Sequence, residues 1–168
     1  FEGNQVADIS SNGTGATSAI GFHVLSGNNQ TLINNSFSYM RSTNYGSTST
    51  TYNTFGIILG NGTGHKLYFN TVSLSGTRIN IGTATSMSAA LLVSSTAVNG
   101  IDIRNNVFAN TLTSPITNSK SYAVYMISTN NLTNSTVMDY NDYYVSAGVQ
   151  GVLAYMAGDR TTLALWQS

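Results

Sequence analysis

Three observations predict an all-β fold, a right-handed parallel β-helix (solenoid) wound in rungs of about 35 residues. Four segments align from their first apolar cluster, apolar residues alternate in short bursts within each segment, and asparagine recurs at one fixed position. The segments are AIGFHVLSGNNQTLINNSFSYM from Ala19, TFGIILGNGTGHKLYFNTVSLS from Thr54, AALLVSSTAVNGIDIRNNVFAN from Ala89, and YAVYMISTNNLTNSTVMDYNDYYV from Tyr122, the last with a short insertion.

The first column of the alignment reads Phe1, Phe37, Val72, Phe108 and Tyr143, at spacings of 36, 35, 36 and 35 residues. A second reads Leu32, Leu67, Ile103 and Met138. Alternation within a burst is the period of a β-strand, and recurrence at a longer fixed interval means that each turn of chain lies on the previous one. One rung cannot bury its own apolar face. Stacked rungs pair their backbones at ~4.8 Å and share a core, so both columns become ladders inside the coil.

A third column, Asn35, Asn70, Asn106 and Asn141, precedes the first by two residues. Asparagine tolerates left-handed backbone angles and bonds locally, which suits a sharp corner between strands. Its amides can also bond to one another along the stack. The structural reading of this column outweighs a carbohydrate-binding row.

A plain β-helix turn needs fewer residues than this repeat holds, so each rung carries a loop. The surplus falls in Arg41–Thr51, Gly76–Ser88 and Thr111–Ser121, all rich in Ser, Thr, Gly and Asn. The loops leave the coil at the equivalent point and should line one side of it, where solenoids place binding surfaces. Tyr45, Arg78 and Asn80 on this side could stack on or hydrogen-bond a sugar. Pro115, the one proline, lies in a loop where its missing N–H breaks no ladder.

After the fourth rung, Gly151–Tyr155 reads as a further strand. The run AGDRTTLALWQS then predicts a short C-terminal helix, with Asp159 or Thr161 as N-cap and Leu163 and Trp166 on one face. Residues 1–168 form one β-helix domain. It starts at Phe1 within a rung and without Met, as a piece of a longer repeat protein would, so further β-helix segments of the same chain are expected partners.

Composition narrows the setting. Ser, Thr and Asn supply 64 of 168 residues (22, 22 and 20), yet only 7% of residues are charged and the net charge is zero. Such polarity would predict disorder, except that 41% of residues are hydrophobic and regularly spaced. Solubility through hydroxyls and amides fits an extracellular or cell-surface location. The charge balance argues against nucleic acid, which calls for a basic stripe, and no apolar run is long enough to span a bilayer. Without cysteine there is no disulfide framework and no zinc–thiolate site.

The run DYNDYYVSAGVQGVLAYMAGDRTTLALWQ resembles a recurring segment of secreted and cell-surface β-helix repeat proteins of the Bacteroidota. Many of these are large and are exported by the type IX route. The resemblance implies an exported, adhesin-like surface protein. The INNSF and IRNNVF corners resemble right-handed β-helix repeats in general.

Parallel β-helices also include lyases and glycosidases, so catalysis has to be weighed. Glycoside hydrolysis needs two carboxylates facing one cleft at roughly 5–10 Å. Asp102, Asp139 and Asp142 form the conceivable cluster. In register, however, Asp102 falls beside Lys66 and Asp139 beside Arg104, as cross-strand charge pairs do. The Asn-Thr-Asp, Asp-Asp and Gly-His-Gly signatures of polygalacturonases are missing. His23 and His65 have no companion at ligand spacing, so neither a metal nor another cofactor is expected. Gly60–Gly64 lacks the Lys and helix of a phosphate loop and reads as a tight corner. Thr48 and Thr50 align with Thr83 and Thr85, but the next rung offers Asn118 and Lys120, too few threonines for an ice-binding array.

These readings converge on a non-enzymatic, extracellular structural or adhesive protein that binds polysaccharide along its loop face. A carbohydrate-active lyase or glycosidase is the alternative, with an ice-binding solenoid behind it.

Overall fold

The computed structural model describes residues 1–13, 17–42, 48–78, 85–132, 136–146 and 148–167. The chain enters through β1 (Gln5–Ala7) and β2 (Ser10–Ser11). It then makes rungs from β3 (Ala19–Val24), β4 (Thr31–Ile33), β5 (Ser36–Ser38) and β6 (Arg41–Ser42), and from β7 (Thr54–Leu59), β8 (Lys66–Tyr68) and β9 (Thr71–Leu74). The third rung is β10 (Met87–Val93), β11 (Asp102–Arg104) and β12 (Val107–Asn110). The fourth is β13 (Lys120–Met126), β14 (Val137–Asp139) and β15 (Asp142–Val145). β16 (Gly151–Met156), β17 (Asp159–Arg160) and α1 (Leu163–Trp166) follow.

The stacked strands make a β-solenoid of about four turns with three faces. One face is a six-stranded sheet in which β3, β7, β10, β13 and β16 run parallel and β17 is added antiparallel to β16. The second is the four-stranded parallel sheet β4-β8-β11-β14. The third is the five-stranded parallel sheet β1-β5-β9-β12-β15. A small pair, β2 with β6, flanks the lower rungs.

Register follows the sequence columns. Phe37, Val72, Phe108 and Tyr143 are successive partners on the five-stranded face, and Leu32, Leu67, Ile103 and Met138 on the four-stranded face. The first three residues of each column are fully buried, at 1% exposure or less, and Met138 and Tyr143 pack on the same core near its upper end. The Phe108 and Tyr143 rings stack with centroids 6.2 Å apart. Phe1 departs from its expected column. The partner of Phe37 is Val6, whereas the Phe1 carbonyl accepts from Ile33 N–H, so Phe1 lies over the Leu32 position. The span from Asn4 to Asn35 is shorter than the later rungs, which is why a fixed 36-residue step misplaced it.

The six-stranded face carries apolar residues on both sides. Ile57, Leu59, Leu91, Val93, Val124 and Met126 belong to the main core. A separate cluster holds Phe55, Ile58, Met87, Ala89, Leu92, Tyr122 and Val152, all buried, on the opposite side of the same strands. On the core side runs a column of small residues, Gly21, Gly56, Ala90 and Ala123. A side chain at Gly56 would collide with Val72 across the coil and with the Ala90 carbonyl, so glycine allows two faces to approach closely.

The described parts of the loops stack in register. Thr77 bridges to Thr113, with their hydroxyls 3.2 Å apart, and Lys120 N–H donates to the Ser86 carbonyl. Three expected loop boundaries shift, because Arg41–Ser42 is β6, Met87–Ser88 opens β10 and Lys120–Ser121 opens β13. The terminal helix also starts later than expected. Asp159 is spent in β17, and the N-cap is Thr162, whose hydroxyl accepts from Leu165 N–H at 3.2 Å. Trp166 is buried against the main core.

Candidate functional site

The corner between the four- and five-stranded faces is held from within by asparagine. Asn4, Asn35, Asn70 and Asn106 each donate through Nδ2 to the Oδ1 of the next asparagine above, at 3.1, 2.9, 2.9 and 2.9 Å, ending on Asn141. The same Oδ1 atoms accept the backbone N–H of the asparagine below, at 2.9–3.0 Å. The second Nδ2 hydrogen goes to a carbonyl, Phe1, Leu32, Leu67 or Ile103 for Asn35, Asn70, Asn106 and Asn141. Each interior amide is thereby saturated. Asn35, Asn70 and Asn106 are at most 2% exposed, where an unmade bond would cost most.

The left-handed backbone expected of these asparagines belongs to the residue before each of them. Gly3, Asn34, Phe69, Asn105 and Tyr140 have φ of 67°, 55°, 56°, 57° and 55°. A left-handed residue reverses the chain and lets the following asparagine point inward. Glycine and asparagine adopt this conformation readily; phenylalanine and tyrosine do not. Yet Phe69 and Tyr140 occupy it with their rings outside, 57% and 75% exposed. Tyr39 repeats the arrangement on the next corner, at φ 57° and 55% exposure.

Beside this corner lies a polar cluster on the outer side of the four-stranded face. Arg104 Nε donates to Asp102 Oδ1 at 2.6 Å, and the Tyr68 hydroxyl donates to Asp102 Oδ2 at 2.8 Å. Burial, then the bond to Asp102, raises the Tyr68 pKa, while the Asp102 bond and charge raise that of Arg104. Lys66 and Asp102 are register partners, as are Arg104 and Asp139. The ion pair itself forms within β11 instead: among the described residues the pairs are Arg104–Asp102 and Lys120–Asp159, the latter at 4.0 Å. Side chains two apart on a strand share a face, and the flat guanidinium reaches its own-strand acid without crossing a rung.

The acids weighed for catalysis are thus dispersed in role. Both Asp102 oxygens are engaged, Asp139 Oδ1 accepts the Tyr140 backbone N–H at 2.9 Å, and Asp142 is exposed on β15 beyond the corner. His65 is buried, with Nε2 donating to the Asn61 carbonyl at 2.9 Å and Nδ1 accepting Gln30 N–H at 3.3 Å, so it serves the NGTGH corner. His23 is exposed on β3, its pKa lowered by partial burial. Among the described residues no three His, Cys, Asp or Glu side chains converge on a metal position.

Of the residues expected on the loop face, Arg78 is buried at 2% exposure, and Tyr45 and Asn80 lie outside the described residues, as does Thr83 of the threonine pairs. Arg78 turns inward because its guanidinium reaches Ser121 Oγ, in a hydroxyl-lined part of the coil. Phe69, Tyr140 and Tyr68 were not singled out from sequence. The signal was present, an aromatic residue where the same column elsewhere holds Gly or Asn. No protein-family model, no curated protein and no solved structure matches this chain.

Proposed function

We propose that this chain is a non-enzymatic, exported surface scaffold that binds polysaccharide along the corner carrying Phe69 and Tyr140. The observation that carries the reading is their backbone. An aromatic residue in the left-handed region costs on the order of 1–2 kcal/mol, and neither ring recovers that by burial. A contact outside the chain is the physical reason to keep them.

The surface has the chemistry for sugars. The two rings stand two rungs apart, ~9.6 Å along the axis. Asn34 and Asn105 sit at the same corner position of the rungs between and below, and Arg104, Lys66 and Asp139 flank it. Flat faces for the C–H side of a pyranose thus alternate with hydrogen-bonding groups for its hydroxyls. Weak binding at each site would gain by repetition along a long fibre. The secreted setting is supported by the hydroxyl- and amide-rich composition and by the resemblance of the C-terminal run to Bacteroidota surface proteins.

The test is a glycan-binding screen with the native chain and Phe69→Asn/Tyr140→Asn, paired with a reducing-sugar release assay. Binding without release, lost in the double variant while folding is kept, is the expected result. Release of sugar that disappears in Asp139→Asn or Asp142→Asn would replace the scaffold with an enzyme.

A further inference from the structure

The inside of the coil holds a cation with no counter-charge. Arg78 is 2% exposed, and its Nη2 donates to Ser121 Oγ at 3.1 Å, but among the described residues Nε and Nη1 have no hydrogen-bond partner. The surroundings are hydroxyls and amides. Ser121 Oγ is 3.3 Å from Ser88 Oγ, which accepts from Asn110 Nδ2 at 2.9 Å, and Thr54 and Ser88 are register partners one rung down. All six Asp and Glu are among the described residues, and none forms an ion pair with Arg78. Burial alone pulls the Arg78 pKa down to about 10, which leaves it charged at neutral pH.

Dipoles from serine do not neutralise a buried guanidinium, and a buried charge without a partner costs several kcal/mol. We propose that Arg78 holds a small monoatomic anion, chloride under physiological conditions, within the solenoid, bound through Nε and Nη1. A monoatomic anion needs only N–H donors, which Nε and Nη1 supply, and is far smaller than a sugar carboxylate or a phosphate ester. Arg78 Nη2 already ties the segment at Thr77–Arg78 to the opening of β13 through Ser121 Oγ, whose own hydrogen goes to the Leu112 carbonyl, and the anion completes the other side of the guanidinium.

The experiment is urea unfolding of the full chain at constant ionic strength, with chloride replacing gluconate. For one site, the folding constant should rise with chloride and approach a tenfold gain per tenfold increase once chloride exceeds its dissociation constant. Arg78→Met, which removes the charge and keeps the volume, should show no such dependence. A saturable broadening of the chlorine NMR line by the native chain gives a second readout that needs no variant. A chloride response shared by Arg78→Met, or no saturable broadening with the native chain, overturns the proposal.

Discussion

The six-stranded and four-stranded faces belong to the same coil and are built by the same rungs, yet they are opposite kinds of sheet. On the first, strands of six or seven residues such as TFGIIL and MSAALLV are buried at every position. On the second, strands of three such as KLY and DIR bury only the middle residue. Parallel sheets covered on both sides read as continuous apolar runs, while sheets with one side in water alternate. The lesson is that the second, outer cluster around Phe55, Leu92 and Tyr122 is a core in its own right, whereas the outer side of the four-stranded face meets solvent.

The sharpest way to break this contrast is Leu92→Ala. Leu92 lies on the outer side of its strand, but it is fully buried, so truncation should cost about 2–5 kcal/mol in a denaturant titration. A change under about 0.5 kcal/mol, as a surface position gives, would mean that the outer cluster is not a core.

Asn70→Ala comes next. It strips the partner from the backbone N–H and amide of Asn35 and from the Leu32 carbonyl, each buried group costing about 1–3 kcal/mol when left unmade. The midpoint should fall by more than for Asn141→Ala at the less buried end of the ladder.

A smaller effect separates the faces by pH. Burial, then the neighbouring Tyr155, pushes the Tyr125 pKa up to about 12. The unfolded chain ionises this tyrosine near its ordinary value of ~10, so the stability it contributes is complete below that and is lost as pH climbs toward 12. Unfolding titrations should show stability declining over that window in the native chain and declining less in Tyr125→Phe.

Smallest of all is Arg104→Ala on the four-stranded face. Its pair with Asp102 is partly exposed, and removal should move the unfolding midpoint only slightly at moderate salt. A clear loss would show that the outer polar cluster holds the coil together.

The sequence carried the solenoid because stacking forces like onto like. Phe37, Val72 and Phe108 had to share volume, and a repeating side-chain size in a repeating position is readable without coordinates. The asparagine column was equally legible as a corner, but its backbone was not: the strain sits one residue earlier, at Phe69 and Tyr140, since the asparagine must aim inward and something else must make the turn. Arg78 was misplaced for a related reason. Its loop looks polar and solvated, and the Ser121 hydroxyl that its Nη2 reaches inside the coil belongs to another rung. Charge partners suffered likewise, because register fixes which strands are neighbours, while the choice of Arg104 between Asp139 above and Asp102 alongside rests on rotamers.

In the asparagine ladder one Nδ2–H of each of Asn4, Asn35, Asn70 and Asn106 donates upward to the next asparagine, while the other on Asn35, Asn70 and Asn106, like that of Asn141, reaches a carbonyl of the rung below, so its bonds lie along the coil axis together with those of the strands. Tension applied at the two ends of the solenoid therefore loads the rungs in series, and they must yield one after another, as the teeth of a zip do. Each released rung of 35 residues, the step from Phe37 to Val72, frees about 120 Å of extended chain. A fibre of such rungs would act as a shock absorber, lengthening in discrete steps under load while the rungs that remain keep their exposed corner intact.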